Sequence, residues 1–247
     1  MIKEKRIESI SFYTVVEDVW SFIKRPRLEH LSGYFKAHPT QIFPYLLLLD
    51  FMMMIPLSAL LGLIGLEDMD HRVEDLYDKP LMLAMQAVLL APIVEEAVFR
   101  LPMKYSYVRM FTACCIVLAM LFAFIDSEVT IGLIAISFFL LVAIFHFIDQ
   151  RNDNQINEQM ASLWETYFYI PFWILTACFA LLHLTNFGNP FPLYLAPLLV
   201  LPQFVLGAVL GYIRTGFGFV FAVLFHALHN GVLVGMALLA QSALPST

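Results

Sequence analysis

The sequence predicts an all-α fold, a polytopic membrane helix bundle of about seven transmembrane helices with an amphipathic N-terminal region. Three observations predict it. Of 247 residues, 60% are hydrophobic and only 14% charged, where a soluble domain carries about 25% charged. Mean hydropathy is +0.78. The apolar residues fall in continuous runs near twenty residues, long enough to cross a ~30 Å hydrocarbon core. They lack the alternation of an outer-membrane barrel.

Residues 1–41 form a separate cytoplasmic or interfacial region. Between Tyr13 and Ile23 apolar groups recur every three or four positions, and the basic cluster Lys24, Arg25 and Arg27 follows. This pattern fits a helix lying on an anionic membrane face and equally a helix packed on the first span. The N-terminus is polar past residue 30, so no cleavable signal peptide is visible.

Residues 42–247 form the transmembrane domain. Its apolar runs are 42–65, 81–103, 108–125, 129–148, 166–186, 192–213 and 217–240, the third being the shortest. Lys and Arg set the orientation. With the N-terminus inside and seven crossings, twelve of the fourteen fall on inside segments, and only Arg72 and Lys79 fall outside. This predicts a cytoplasmic N-terminus and an exoplasmic C-terminus; the expected location of this multi-pass protein is the bacterial inner membrane. Six acids occupy 67–78 in an outside loop, and net charge is −6. No basic stripe with interleaved aromatics occurs, which argues against nucleic acid as a partner. The expected partners are membrane lipid and a peptide or membrane-protein substrate; oligomeric state is not legible. Cys114, Cys115 and Cys178 lie in apolar runs and read as small buried hydrophobes. Gly207 and Gly211 form a GxxxG that permits close helix approach. Pro56, Pro171 and Pro202 are expected to kink their helices.

Ionisable residues inside the spans are few: Asp50, Glu95, Glu96, Arg100, His146, His183, His226 and His229, with Asn230 beside them. An isolated charge at mid-membrane costs about 2.5–3.5 kcal/mol on insertion scales. Glu95, Glu96 and Arg100 standing alone would therefore cost roughly 8–10 kcal/mol, so they must be paired or hydrated. Glu96 and Arg100 are i, i+4 with the acid first, the favourable order for a helical pair. Glu95 points about 100° away around the helix and is left as a candidate general base. Phe179 and His183 are i, i+4, so the ring can brace the imidazole. His226 and Asn230 share a face, and both can donate hydrogen bonds to a developing oxyanion. His229 competes for that face. Asp50 reads as a helix–helix hydrogen bond and His146 as an interfacial residue.

The order EExxxR (Glu95–Arg100), FxxxH (Phe179–His183) and HxxxN (His226–Asn230) on separate apolar runs resembles the CPBP family. These are the type II CAAX prenyl proteases and bacteriocin-processing or immunity proteins, also called Abi. The resemblance covers about residues 80–240. It implies an intramembrane endopeptidase without a serine or cysteine nucleophile and with no required cofactor. In that reading Glu95 activates water and His183 holds the water with it. His226 and Asn230 stabilise the oxyanion, while Glu96, Arg100 and Phe179 support the site. In the family the first two motifs sit on consecutive helices. Here 88 residues separate Glu95 from His183, and two more apolar runs and the polar loop 149–165 intervene. An inserted helix pair preserves the up–down parity. Drawn from hydropathy alone, Glu95 sits near mid-membrane, His226 in the cytoplasmic half and His183 towards the outer end. Some family members are labelled metallopeptidases, and a zinc variant would use Glu95, His183 and His226 as ligands, although no HExxH occurs. The other readings are a non-catalytic scaffold or immunity factor, and proton-coupled transport through Asp50, Glu95 and the histidines.

Overall fold

The computed structural model of the chain describes residues 9–63, 79–122, 127–152, 154–187 and 193–243. The acidic stretch 67–78, Lys3, Lys5, Arg6 and the ends of some expected spans lie outside them. Among the described residues every regular element is helical. Among these residues five helices are long and apolar enough to cross a membrane, and a pair bent by 44° makes a sixth if it counts as one span. The run expected at 108–125 forms a helix of 16 residues, Tyr107–Phe122, about 24 Å long.

Helix α1 (Phe12–Lys24) starts at a capping box, in which Ser11 Oγ accepts from Thr14 N and Thr14 Oγ1 accepts from Ser11 N. Pro26 follows its end, where a helix cannot continue. Val15, Val19 and Phe22 are buried against α3 (Pro39–Leu63) and α11 (Leu201–Gly216). The apolar face of α1 is thus docked on the bundle. Tyr13 and Trp20 remain exposed, with Lys24 Nζ over the Trp20 ring at 5.0 Å. Asp18 accepts a 2.7 Å hydrogen bond from the Tyr212 hydroxyl on α11. Between α1 and the short helix α2 (Gly33–Ala37), His30 is wedged between Phe22 and Tyr212, with ring centroids 4.3 and 4.6 Å away.

Burial first, opposed by a backbone hydrogen bond at Arg27 and reinforced by the Arg27, Lys36 and Lys104 charges, pushes the His30 imidazole down to about 3. Between its ordinary value near 6.5 and that value the folded protein binds fewer protons here than the unfolded chain. Stability therefore falls as pH falls through this window, by on the order of 2–3 kcal/mol at pH 4.5. Asp18 acts in the opposite sense, because burial raises its pKa despite the Tyr212 bond and Arg27. Acidification to pH 4.5 should loosen α1, read as faster amide exchange over residues 12–24. His30→Phe should abolish that acceleration, and equal acid sensitivity in the variant would refute the assignment.

The inward face of α3 is Ile42, Leu46, Asp50 and Met54, one residue per turn, so the aspartate occupies a core position. The next span is Pro80–Phe99, made of α4 (Pro80–Leu83), a π-helical stretch over Ala84–Leu90 and α5 (Ala91–Phe99). Pro92 explains how the break is completed. In the π register Ala91 N–H donates to the Gln86 carbonyl, and residue 92 would donate to Ala87. Proline has no N–H, and the Asn230 side chain fills the gap at 2.7 Å from the Ala87 oxygen. A neighbouring helix thereby satisfies the carbonyl that proline freed.

Helices α6 (Tyr107–Phe122) and α7 (Glu128–Arg151) lie in the chain between Glu95 and His183. An aromatic ladder joins them: Tyr107 lies against Phe145 and His146, and Phe111 against Phe138 and Phe139. No apolar residue of α7 is buried, as expected of a helix facing lipid. After α8 (Gln155–Thr166) come α9 (Tyr169–Leu182), α10 (Ala196–Leu199), α11 and α12 (Phe219–Ala243). Basic residues gather at one end of the bundle: burial first, and then the Arg214, Lys36 and Arg109 charges, hold Lys104 below the ordinary lysine value.

Candidate active site

The GxxxG sets the packing that carries the site. A Cβ on Gly207 would stand 3.0 Å from Phe179 Cδ1 and 3.2 Å from Arg100 Nη2, and one on Gly211 2.5 Å from Phe172 Cε2. Both glycines let α11 lie close against α9, so the Gly207 carbonyl accepts from Arg100 Nη2 at 3.2 Å. Gly211→Ala should cost about 1–3 kcal/mol by overpacking, measured by denaturant titration in micelles. An unchanged midpoint would show that α9 and α11 have room to part.

Glu96 and Arg100 are completely buried and stand 3.5 Å apart. The guanidinium lies 3.8 Å above the Phe179 ring centroid, a fully buried cation–π contact. Glu96 Oε1 also meets His226 Nδ1 at 3.0 Å. A carboxylate only accepts, so this nitrogen carries a proton. The same logic holds at His183, whose Nδ1 lies 2.9 Å from the Phe179 carbonyl oxygen. Both Nε2 atoms face Glu95: Oε2 is 3.8 Å from His183 and 3.9 Å from His226. These separations exceed a hydrogen bond, and Glu95 Oε2 has no hydrogen-bond partner. Glu95 and His183 keep 17% and 16% side-chain exposure, against zero for Glu96 and Arg100. The Glu96 side chain is sealed in, whereas that of Glu95 is partly exposed although its Oε2 is covered.

The structure therefore brings Glu95, His183 and His226 together, with Glu96, Arg100 and Phe179 directly behind them. The depth offset expected from hydropathy does not arise. Trp164 on α8 donates to the Met103 carbonyl just past α5, and this ties the start of α9 to the end of α5, so His183 at the far end of α9 reaches Glu95. Asn230 lies one turn beyond His226, with its amide on Ala87. His229 faces elsewhere: its Nδ1 meets Asp50 Oδ2 at 2.5 Å, and its ring stacks on Phe51. Asp50 is thus a bond between α3 and α12. Three contributors are not individually legible in sequence: the Gly207 carbonyl, the freed Ala87 carbonyl and the choice of His229 as the partner of Asp50. The GxxxG and Pro92 were the only signals of the first two.

A cleft of about 460 Å³ runs between α5, α6 and α9, and Glu95 is in its wall among apolar side chains. Among the described residues no three His, Cys, Asp or Glu side chains are grouped to hold a metal ion. Tetrahedral zinc at about 2.0–2.1 Å from each ligand needs donors about 3.3 Å apart, closer than Glu95 stands to either histidine. No family profile matches the chain, and neither a curated protein nor a solved structure is significantly similar to it.

Proposed function

We propose that this protein is an intramembrane endopeptidase of the CAAX-protease type, which hydrolyses a peptide bond with water activated by Glu95. The observation that supports this most is one partly exposed glutamate whose Oε2 is faced by two imidazole Nε2 atoms, each beyond direct bonding distance. A polar gap of that width is one a bridging water closes. Water there would give one hydrogen bond to Glu95 and one to His183 Nε2. Glu95 takes the proton as the oxygen attacks the scissile carbonyl, and later returns it to the leaving amine. Glu96 orients His226 through Nδ1, as the carboxylate of a catalytic triad orients its histidine. For His226 to join Asn230 as an oxyanion donor its ring must carry both protons, with Glu96 balancing the charge. The second N–H of Asn230 supplies the other donor while the first holds Ala87.

In this reading the end with Lys36, Lys104, Arg109 and Arg214 is cytoplasmic. Helix α6 completes a set of seven crossings, with local thinning of the bilayer accommodating its length. Trp20 and Lys24 rest at the headgroups. The test is cleavage of a peptide panel by the protein reconstituted in nanodiscs. Product with one ¹⁸O from labelled water at the new carboxyl is expected, and no cleavage of any peptide would refute the reading. A chelator arm separates the zinc variant, in which the same three side chains close on a metal: activity lost to chelation and restored by zinc would establish it.

A further inference from the structure

Helix α6 carries none of Glu95, His183 and His226, yet it borders the cleft beside Glu95. Helix α6 packs along α5 and forms the far wall of the cleft with Val117, Met120 and Leu121, facing Leu181 and Leu182 of α9. At about 460 Å³ the cleft falls within the roughly 300–1,000 Å³ of small-ligand pockets. Its lining is apolar except for Glu95, whose side chain is 17% exposed. A lipid tail would cover the apolar walls and strip water from that carboxylate with no polar group in exchange, at a cost. A polypeptide brings both an apolar side chain and the amide and carbonyl groups that the carboxylate can address directly or through water. We propose that the cleft is the specificity pocket of the enzyme, seating a bulky aliphatic side chain of a membrane-embedded peptide segment next to the scissile bond. Met120 and Leu121 on α6 set the size it accepts. This rests on the hydrolytic reading of Glu95 for the word specificity, but the occupant can be tested apart from hydrolysis. Met120 is suited to the task, because an unbranched thioether reshapes around varied partners.

The probe is a lysine-flanked leucine–alanine peptide carrying photo-leucine, in nanodiscs of phosphatidylethanolamine and phosphatidylglycerol. The protein carries Glu95→Gln so that the probe is not consumed. Adducts are expected to concentrate on residues 117–121 and 178–182, and Met120→Trp should reduce them at least tenfold. The peptide should also displace label left at those positions by a photoactivatable acyl-chain phospholipid. Adducts spread over the lipid-facing surface of α7, or a phospholipid label that the peptide does not displace, would overturn the proposal. In the enzyme with Glu95 intact, Met120→Trp should lower the kcat/KM ratio for leucine over alanine beside the scissile bond by tenfold or more. Leu121→Ala should raise the ratio for phenylalanine over leucine. Ratios unmoved in both variants overturn the specificity role. Adducts confined to the cleft together with no cleavage by the unmodified protein would refute hydrolysis and leave the peptide site standing.

Discussion

Glu95→Gln is expected to lower peptide cleavage by at least 10²-fold and to leave the protein folded. The two side chains have nearly the same volume, and Oε2 of Glu95 accepts no hydrogen bond, so the amide disturbs little that holds the bundle together. What it removes is the carboxylate oxygen that faces Nε2 of both His183 and His226. General-base contributions run to roughly 10²–10⁴-fold, and here the same group also returns the proton to the leaving amine. Glu95→Asp separates placement from charge. It keeps the carboxylate but withdraws it by about 1.5 Å, and a misplacement near 1 Å can cost about 10²-fold. A wild-type rate for Glu95→Gln, with helicity and melting temperature unchanged, would remove Glu95 from the chemistry. It would favour a scaffold or immunity role, in which the polar cavity binds a partner without cutting it.

What the sequence displayed and what it hid divide along a physical line. Spacing within one helix is set by 3.6 residues per turn, so Glu96 with Arg100 and Phe179 with His183 were legible, and the structure holds both as contacts. Which helix each polar face meets depends on rotation and depth, which hydropathy does not encode. Asp50 reads as a helix–helix hydrogen bond in sequence, but nothing there names His229 as its partner. The π-helical stretch before Pro92 adds one residue to the turn, which re-aims everything downstream, Glu95 included. Hydropathy averages over such a shift. The amphipathic period of α1 was plain, yet it is the same for a helix on lipid and a helix on protein, and only the burial of Val15, Val19 and Phe22 against the bundle distinguishes them.

Arg100→Met is expected to destabilise the protein by about 3–5 kcal/mol, the cost of leaving a buried charge without its partner. Three interactions end together: the ion pair with Glu96, the donation to the Gly207 carbonyl and the stacking on Phe179. The loss of the pair dominates, because Glu96 has no exposure and is too deep for water to replace the guanidinium. The double variant Glu96→Gln with Arg100→Met removes both charges and leaves His226 Nδ1 an amide oxygen to donate to. It should recover a large part of the lost stability, as buried pairs exchanged for neutral groups often do. A double-mutant cycle in micelles measures the coupling. The two variants also separate stability from catalysis. The double variant, though refolded, should cleave poorly, because a neutral amide cannot balance a His226 that carries both protons. Full activity in the double variant would reduce Glu96 and Arg100 to packing, whereas an Arg100→Met protein as stable as the wild type would mean that Glu96 is buried as the neutral acid and needs no cation.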